Sequence, residues 1–165
     1  MTQLAHLPIF HVSYGTNRRS YNVTAASIAE RLGGSKVLKR EIRSELDLAE
    51  AVHQGLSYQS LDHVLQSDDL EPSEAYDLVG SRRTLMRKKK ERTRLSPAES
   101  DRLARVVRII ARAEEALGER DKAHRWLRKA NRALTGKRPL DLLESDAGAR
   151  MVERILGRIE HGIYS

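Results

Sequence analysis

The stretch from Ser96 to Gly118 constrains the fold more than any other part of this chain. It opens with Ser96-Pro97-Ala98-Glu99. A serine at the cap, a proline at the first helical position and an acid three residues after the serine are three independent helix-start signals. Leu103, Val106, Val107, Ile110, Ala113 and Leu117 then recur at i, i+3, i+4 and i+7, with Arg102, Arg105, Arg108 and Arg112 between them. The spacing predicts one long helix with a single apolar face, closed by Gly118. Such a helix cannot stand alone in water, so the remaining segments have to supply apolar faces of their own.

They carry the same punctuation. Ser27-Ile28-Ala29-Glu30 reads as a capping box, with Gly33-Gly34 ending a short helix. Ser44 precedes Leu48, Ala49 and Val52 and a stop at Gly55, and Ser57 precedes Leu61, Val64 and Leu65. Pro72 opens a helix that carries Ala75, Leu78 and Val79 to Gly80. After Gly118, Asp121 caps a helix with Ala123, Trp126, Leu127, Ala130 and Leu134 that Gly136 closes, and Trp126 reads as core. Pro139 opens a short turn through Leu140, Leu142 and Leu143. Ser145 caps a last helix with Met151, Val152, Ile155, Leu156 and Ile159 inside, ending at Gly162. No stretch alternates as a strand does, so the fold class is all-α. Residues 1–26 show no sustained period and read as a flexible N-terminal arm.

The 165 residues suffice for a conventional core, and 39% hydrophobic with only 4% aromatic content makes that core aliphatic. With no cysteine, disulfides, thiol catalysis and Cys-ligated metals are excluded, as in a reducing cytoplasm. No apolar run approaches a membrane span, and Met1 to Phe10 lacks the basic lead of a secretory signal, so a cytoplasmic location without membrane contact is expected.

Charge is strongly segregated along the chain. Residues 41–81 hold 1 basic and 10 acidic side chains; the next 13 residues, Arg82 to Arg94, hold 8 and 1, and so match the +7 net charge of the whole molecule. A cationic helix that follows another helix after only Gly80 and Ser81 is the pattern of a helix-turn-helix, in which Glu71 to Val79 braces and Arg82 to about Glu91 enters a major groove. Ser81, Arg82, Arg83 and Thr84 would sit at the end that meets base edges, and Arg87, Lys88 and Lys89 belong to a run that covers more than one turn, so that some would face phosphates and others only solvent. A surface helix merely rich in lysine, or a localisation tag, is the competing interpretation, and the preceding helix and glycine weigh against it.

Nothing in the chain supports catalysis. His6, His11, His53, His63, His124 and His161 form no paired helical ligand motif, Gly33-Gly34 lacks the lysine and strand of a phosphate loop, and the pairs Asp68-Asp69 and Glu114-Glu115 do not face one site. No enzyme activity, metal site or cofactor is expected.

Several motifs in the second half occur in a fixed order: Arg94-Leu95-Ser96-Pro97-Ala98-Glu99, Trp126-Leu127, Asn131, Leu134-Thr135-Gly136-Lys137-Arg138-Pro139-Leu140-Asp141-Leu142-Leu143, and Arg158-Ile159-Glu160-His161-Gly162. In content and spacing these resemble the Xre/MbcA/ParS family of toxin-binding antitoxins, over about residues 28 to 165. The segment Arg83-Thr84-Leu85 with Arg87-Lys88-Lys89 is similar to that family's Xre-type helix-turn-helix. The resemblance implies an Xre-type DNA-binding domain over 27–95 and a helical toxin-binding domain over 96–165. It further implies an antitoxin of a type II toxin-antitoxin system. Such an antitoxin binds and inhibits a RES-domain toxin that degrades NAD, and it represses its own operon by binding operator DNA.

On that footing Arg154, Arg158, Glu160, His161, Ile163 and Tyr164 are expected to contact the toxin, since tyrosine and arginine anchor protein interfaces well. Because one helix-turn-helix covers one half-site, a homodimer within a larger toxin-antitoxin complex is expected. Two rivals stand beside this interpretation, a stand-alone dimeric transcriptional repressor without a toxin partner and a DNA-segregation adaptor. A second protein copurifying with the chain separates the first rival from the antitoxin.

Overall fold

The computed structural model describes residues 23–162. Its elements are helices α1 (Ala25–Arg31), α2 (Gly34–Leu38), α3 (Glu45–His53), α4 (Tyr58–Gln66), α5 (Pro72–Leu78), α6 (Arg82–Glu91), α7 (Pro97–Leu117), α8 (Arg120–Arg128) and α9 (Asp146–Glu160), with 3-10 segments at Arg132–Leu134 and Pro139–Glu144. Among the described residues there is no strand, and the one extended contact is an isolated bridge between Ser57 and Arg94. The chain is all-α, as its periodicity requires.

The long helix forms as its start signals dictate. Ser96 accepts from the Glu99 amide at 3.2 Å, the Glu99 carboxylate accepts from the Ser96 amide at 2.6 Å, and Pro97 occupies the first helical position. Leu103, Val106, Val107, Ile109, Ile110 and Ala113 are at most 1% exposed, and each large aliphatic side chain so buried contributes roughly 1.5–3 kcal/mol. α7 packs against α1, α3 and α5 on one side and α8 and α9 on the other, so one continuous core runs through both halves. Gly148 explains how the 3-10 segment Pro139–Glu144 reaches α9, since a Cβ at this position would collide with the Leu142 carbonyl oxygen.

Four local expectations are corrected. The first capping box is Thr24 with Ser27, not Ser27 with Glu30: Ser27 N–H donates to Thr24 Oγ1 at 3.2 Å and Thr24 N–H to Ser27 Oγ at 2.9 Å, so α1 begins at Ala25, inside the expected arm. The rest of that arm, residues 1–22, lies outside the described residues. Gly34 opens a helix instead of ending one, because Gly33 in the left-handed region turns the chain and restarts it as α2. Glu119, not Asp121, occupies the cap of α8, and α8 stops at Arg128, leaving Ala130 exposed. Trp126 is only half-buried and Met151 is 41% exposed, because each lies at the margin of its helix's apolar stripe.

Candidate nucleic-acid and partner interfaces

The acidic α5 and the basic α6 are joined by Val79, Gly80 and Ser81. Ser81 caps α6, its hydroxyl accepting from the Thr84 amide at 3.3 Å and lying 2.9 Å from Thr84 Oγ1. Leu85 is the one buried residue of α6, and it plugs the helix into the core. Every other residue of α6 is exposed or intermediate. A helix with so narrow an apolar contact presents most of its circumference outward.

The seven residues expected to touch DNA separate into two groups. Arg83 and Arg87 are exposed and make no ion pair or side-chain hydrogen bond among the described residues, as does Lys90. Arg82 is exposed as well, with its guanidinium 6.0 Å from the Tyr76 ring centroid. Ser81 and Thr84 are engaged with each other. Lys88 and Lys89 are held by the protein. Lys88 Nζ donates to the Arg94 carbonyl at 2.8 Å and lies 3.4 Å from Glu99, with its side chain only 15% exposed. Lys89 Nζ donates to Asp62 at 3.0 Å and sits 5.7 Å from the Tyr58 ring centroid; the hydrogen bond and charge of Asp62 hold its pKa above the usual lysine value. Both side chains reach back toward α4 and α7, which the sequence alone did not reveal. Arg83, Arg87 and Lys90 recur at four- and three-residue spacing, so their free cationic groups can face one polyanion together, with the neighbouring Arg82 beside them at the first turn.

Cations also tie α8 to the helix-turn-helix. Arg128 grips Glu74 on α5 through two bonds of 2.8 Å, Arg120 pairs with Asp69 at 3.2 Å and donates to the Ser67 carbonyl, and Arg31 bridges Asp69 and Glu114. Asp69, Glu114 and His124 bring ligand-type atoms within 4.8 Å of one another. The guanidinium groups of Arg31 and Arg120 already neutralise both carboxylates, so the donor set fits an ion-pair clamp and not a divalent cation.

On α9, Met151, Arg154 and Arg158 are exposed at three- and four-residue spacing and share a face. Glu160, expected at the toxin, pairs with Arg112 on α7 at 2.8 Å, and His161 Nδ1 lies 2.7 Å from the Gly157 carbonyl oxygen. Ile163 and Tyr164 lie outside the described residues. Among those residues no helix is long and apolar enough to cross a membrane.

Residues 47–108 match the antitoxin Xre-like helix-turn-helix domain, and residues 112–162 match the antitoxin Xre/MbcA/ParS C-terminal toxin-binding domain. The Antitoxin Xre of Yersinia enterocolitica is 31% identical over 120 residues, 72% of this chain and 81% of that protein. That of Pseudomonas putida is 32% identical over 122 residues, 74% of this chain and 76% of that protein. The Antitoxin Xre of Photorhabdus laumondii is 41% identical over 68 residues, 41% of this chain and 46% of that protein. With a helix-turn-helix and a toxin-binding domain matched in that order, and two such relatives covered over more than three quarters of their length, the chain belongs to the Xre family of antitoxins.

Proposed function

We propose that this antitoxin acts in the cytoplasm as a non-catalytic homodimer that binds and inhibits a RES-domain, NAD-degrading toxin and represses its own operon through α5 and α6. The observation that carries the DNA half is the outward cationic face of α6, where Arg82, Arg83, Arg87 and Lys90 are exposed on a helix whose one buried residue is Leu85. Support for the toxin half comes from the match of residues 112–162 to a toxin-binding domain and from the exposed Met151, Arg154 and Arg158 on α9. Methionine adapts to irregular apolar surfaces, and arginine is a frequent interface anchor. A toxin docked there would be held through the last helix, leaving α6 free for a duplex. Ile163 and Tyr164 extend the same proposed contact.

Co-expression with the product of the neighbouring gene, followed by mass measurement of the purified complex, tests this. The expected result is a stable complex and relief of NAD depletion in cells making the neighbour. No second protein in the complex, together with unrelieved NAD loss, would refute the toxin assignment and leave a stand-alone repressor.

A further inference from the structure

A second cationic feature lies at the far end of α6 from its cap. A cavity of about 590 Å³ is walled by Lys39, Arg40, Arg92 and Arg94, with Ser57 and Thr93 among its neutral donors. No carboxylate lines it. Arg40 is compensated by Glu50 at 3.0 Å, whereas Lys39 and Arg92 have no ion pair or side-chain hydrogen bond among the described residues. Each of these two sits in the left-handed region, at φ 58° and 53°, where the chain turns off the ends of α2 and α6.

The wall is rigid. Arg94 Nη1 donates to the Gly55 carbonyl at 2.7 Å, the Leu95 amide to the Leu56 carbonyl at 2.8 Å, and the Leu56 amide to the buried Ser100 hydroxyl at 2.8 Å. Gly55, at φ +86°, permits this approach, because a Cβ there would run into the Leu95 carbonyl oxygen. The first turn of the nine-residue α4 opens on the same space and adds the positive end of its dipole.

Two arguments name the occupant. Several cations and neutral donors without an acceptor of matching charge suit a phosphoryl group. The cavity also adjoins the C-terminal end of α6 through its cap residue Arg92 and the following Thr93 and Arg94: a ten-residue helix is about 15 Å long and a major groove about 12 Å wide, so a helix that enters by its first turn can bring the segment at its far end to the phosphates at the groove's edge. Lys39 and Arg40 precede residue 47, where the helix-turn-helix match begins, so the surface extends past the matched domain.

We propose that this cavity holds a backbone phosphate of the duplex that α6 contacts, with Lys39, Arg92 and Arg94 as donors. It rests on the duplex-binding role of α6 given above. The test uses the full chain and a labelled random-sequence duplex of about 30 base pairs, with binding followed by anisotropy between about 50 and 300 mM salt. Lys39→Asn with Arg92→Asn keeps residues that tolerate the left-handed region. The double variant is expected to lower the log–log salt slope by about 1.8 and weaken binding roughly tenfold or more at 0.1 M salt, by a similar factor on the operon's upstream sequence. Lys39→Arg with Arg92→Lys should retain the slope, and the melting temperature should stay near that of the parent protein. An unchanged slope in the double variant, while the parent binds, overturns the cavity assignment alone. Inorganic phosphate perturbing the Lys39 and Arg92 resonances with that slope unchanged likewise overturns it, in favour of a free-anion pocket. A parent protein that fails to bind duplex overturns the role of α6 and this assignment with it.

Discussion

Arg128 and Glu74 form a two-pronged ion pair, Nε to Oε1 and Nη2 to Oε2 at 2.8 Å each, with side chains only 25% and 12% exposed. The pair fastens α8, in the toxin-binding segment, to the brace helix of the helix-turn-helix. Parallel charge-assisted bonds in a partly dry site resist truncation of either partner. Arg128→Met is expected to cost about 2 kcal/mol, and Glu74→Gln a similar amount. A double-mutant cycle in urea should return a coupling near 1 kcal/mol or above, and additive effects would show the fork to be inert.

The two groups of cations on α6 should separate experimentally. Arg83→Ala with Arg87→Ala is expected to reduce the salt slope of duplex binding by about 1.8 and leave the melting temperature unchanged. Lys88→Met should do the reverse, because its ammonium serves the Arg94 carbonyl and Glu99 inside the protein. Salt-dependent anisotropy and thermal melting on the same samples decide the matter.

Gly148→Ala introduces a methyl group where the Leu142 carbonyl oxygen already sits. The 3-10 segment or α9 must shift, and overpacking of this kind costs about 1–3 kcal/mol. The loss should be visible in chemical denaturation, and capture of the proposed toxin should weaken in parallel.

On the last helix, Arg154→Glu with Arg158→Glu reverses two exposed charges with no ion pair among the described residues. Stability should change by less than about 0.5 kcal/mol and duplex binding should persist, whereas neutralisation of the copurifying toxin should fail. Retained neutralisation in a growth assay would move the contact off this face.

Asp47 completes the cap of α3, and its pKa is held below the ordinary aspartate value near 3.8 by the amide of Arg43, then by the hydroxyl of Ser44. A lowered carboxylate contributes stability that is complete above its unfolded value and disappears as pH falls through the folded one. Protection of the α3 amides, measured relative to their intrinsic exchange rates, should therefore fall below about pH 4, and Asp47→Asn should remove that dependence. Exchange rates followed by NMR between pH 2 and 6 check the sign.

The helices were legible wherever a cap and a periodic face coincided. Ser96, Pro97 and Glu99 located the start of α7 to the residue, and Ser44, Ser57 and Ser145 did so for the starts of α3, α4 and α9. Boundaries slipped where two candidate caps stood close together, as with Thr24 against Ser27, or where a glycine pair could either stop or restart a helix. The basic run was plain from charge alone. What periodicity could not tell is which of its members fold back, because Asp62, Glu99 and Tyr58 lie 27, 11 and 31 positions from the lysines they hold and no local rule reaches that far.

The 21-residue α7 carries side chains into both halves, with no break where one domain match gives way to the other. One residue added along such a shaft would swing its two ends about 100° apart. Angular setting between the nucleic-acid end and the partner end is thus written into helix length.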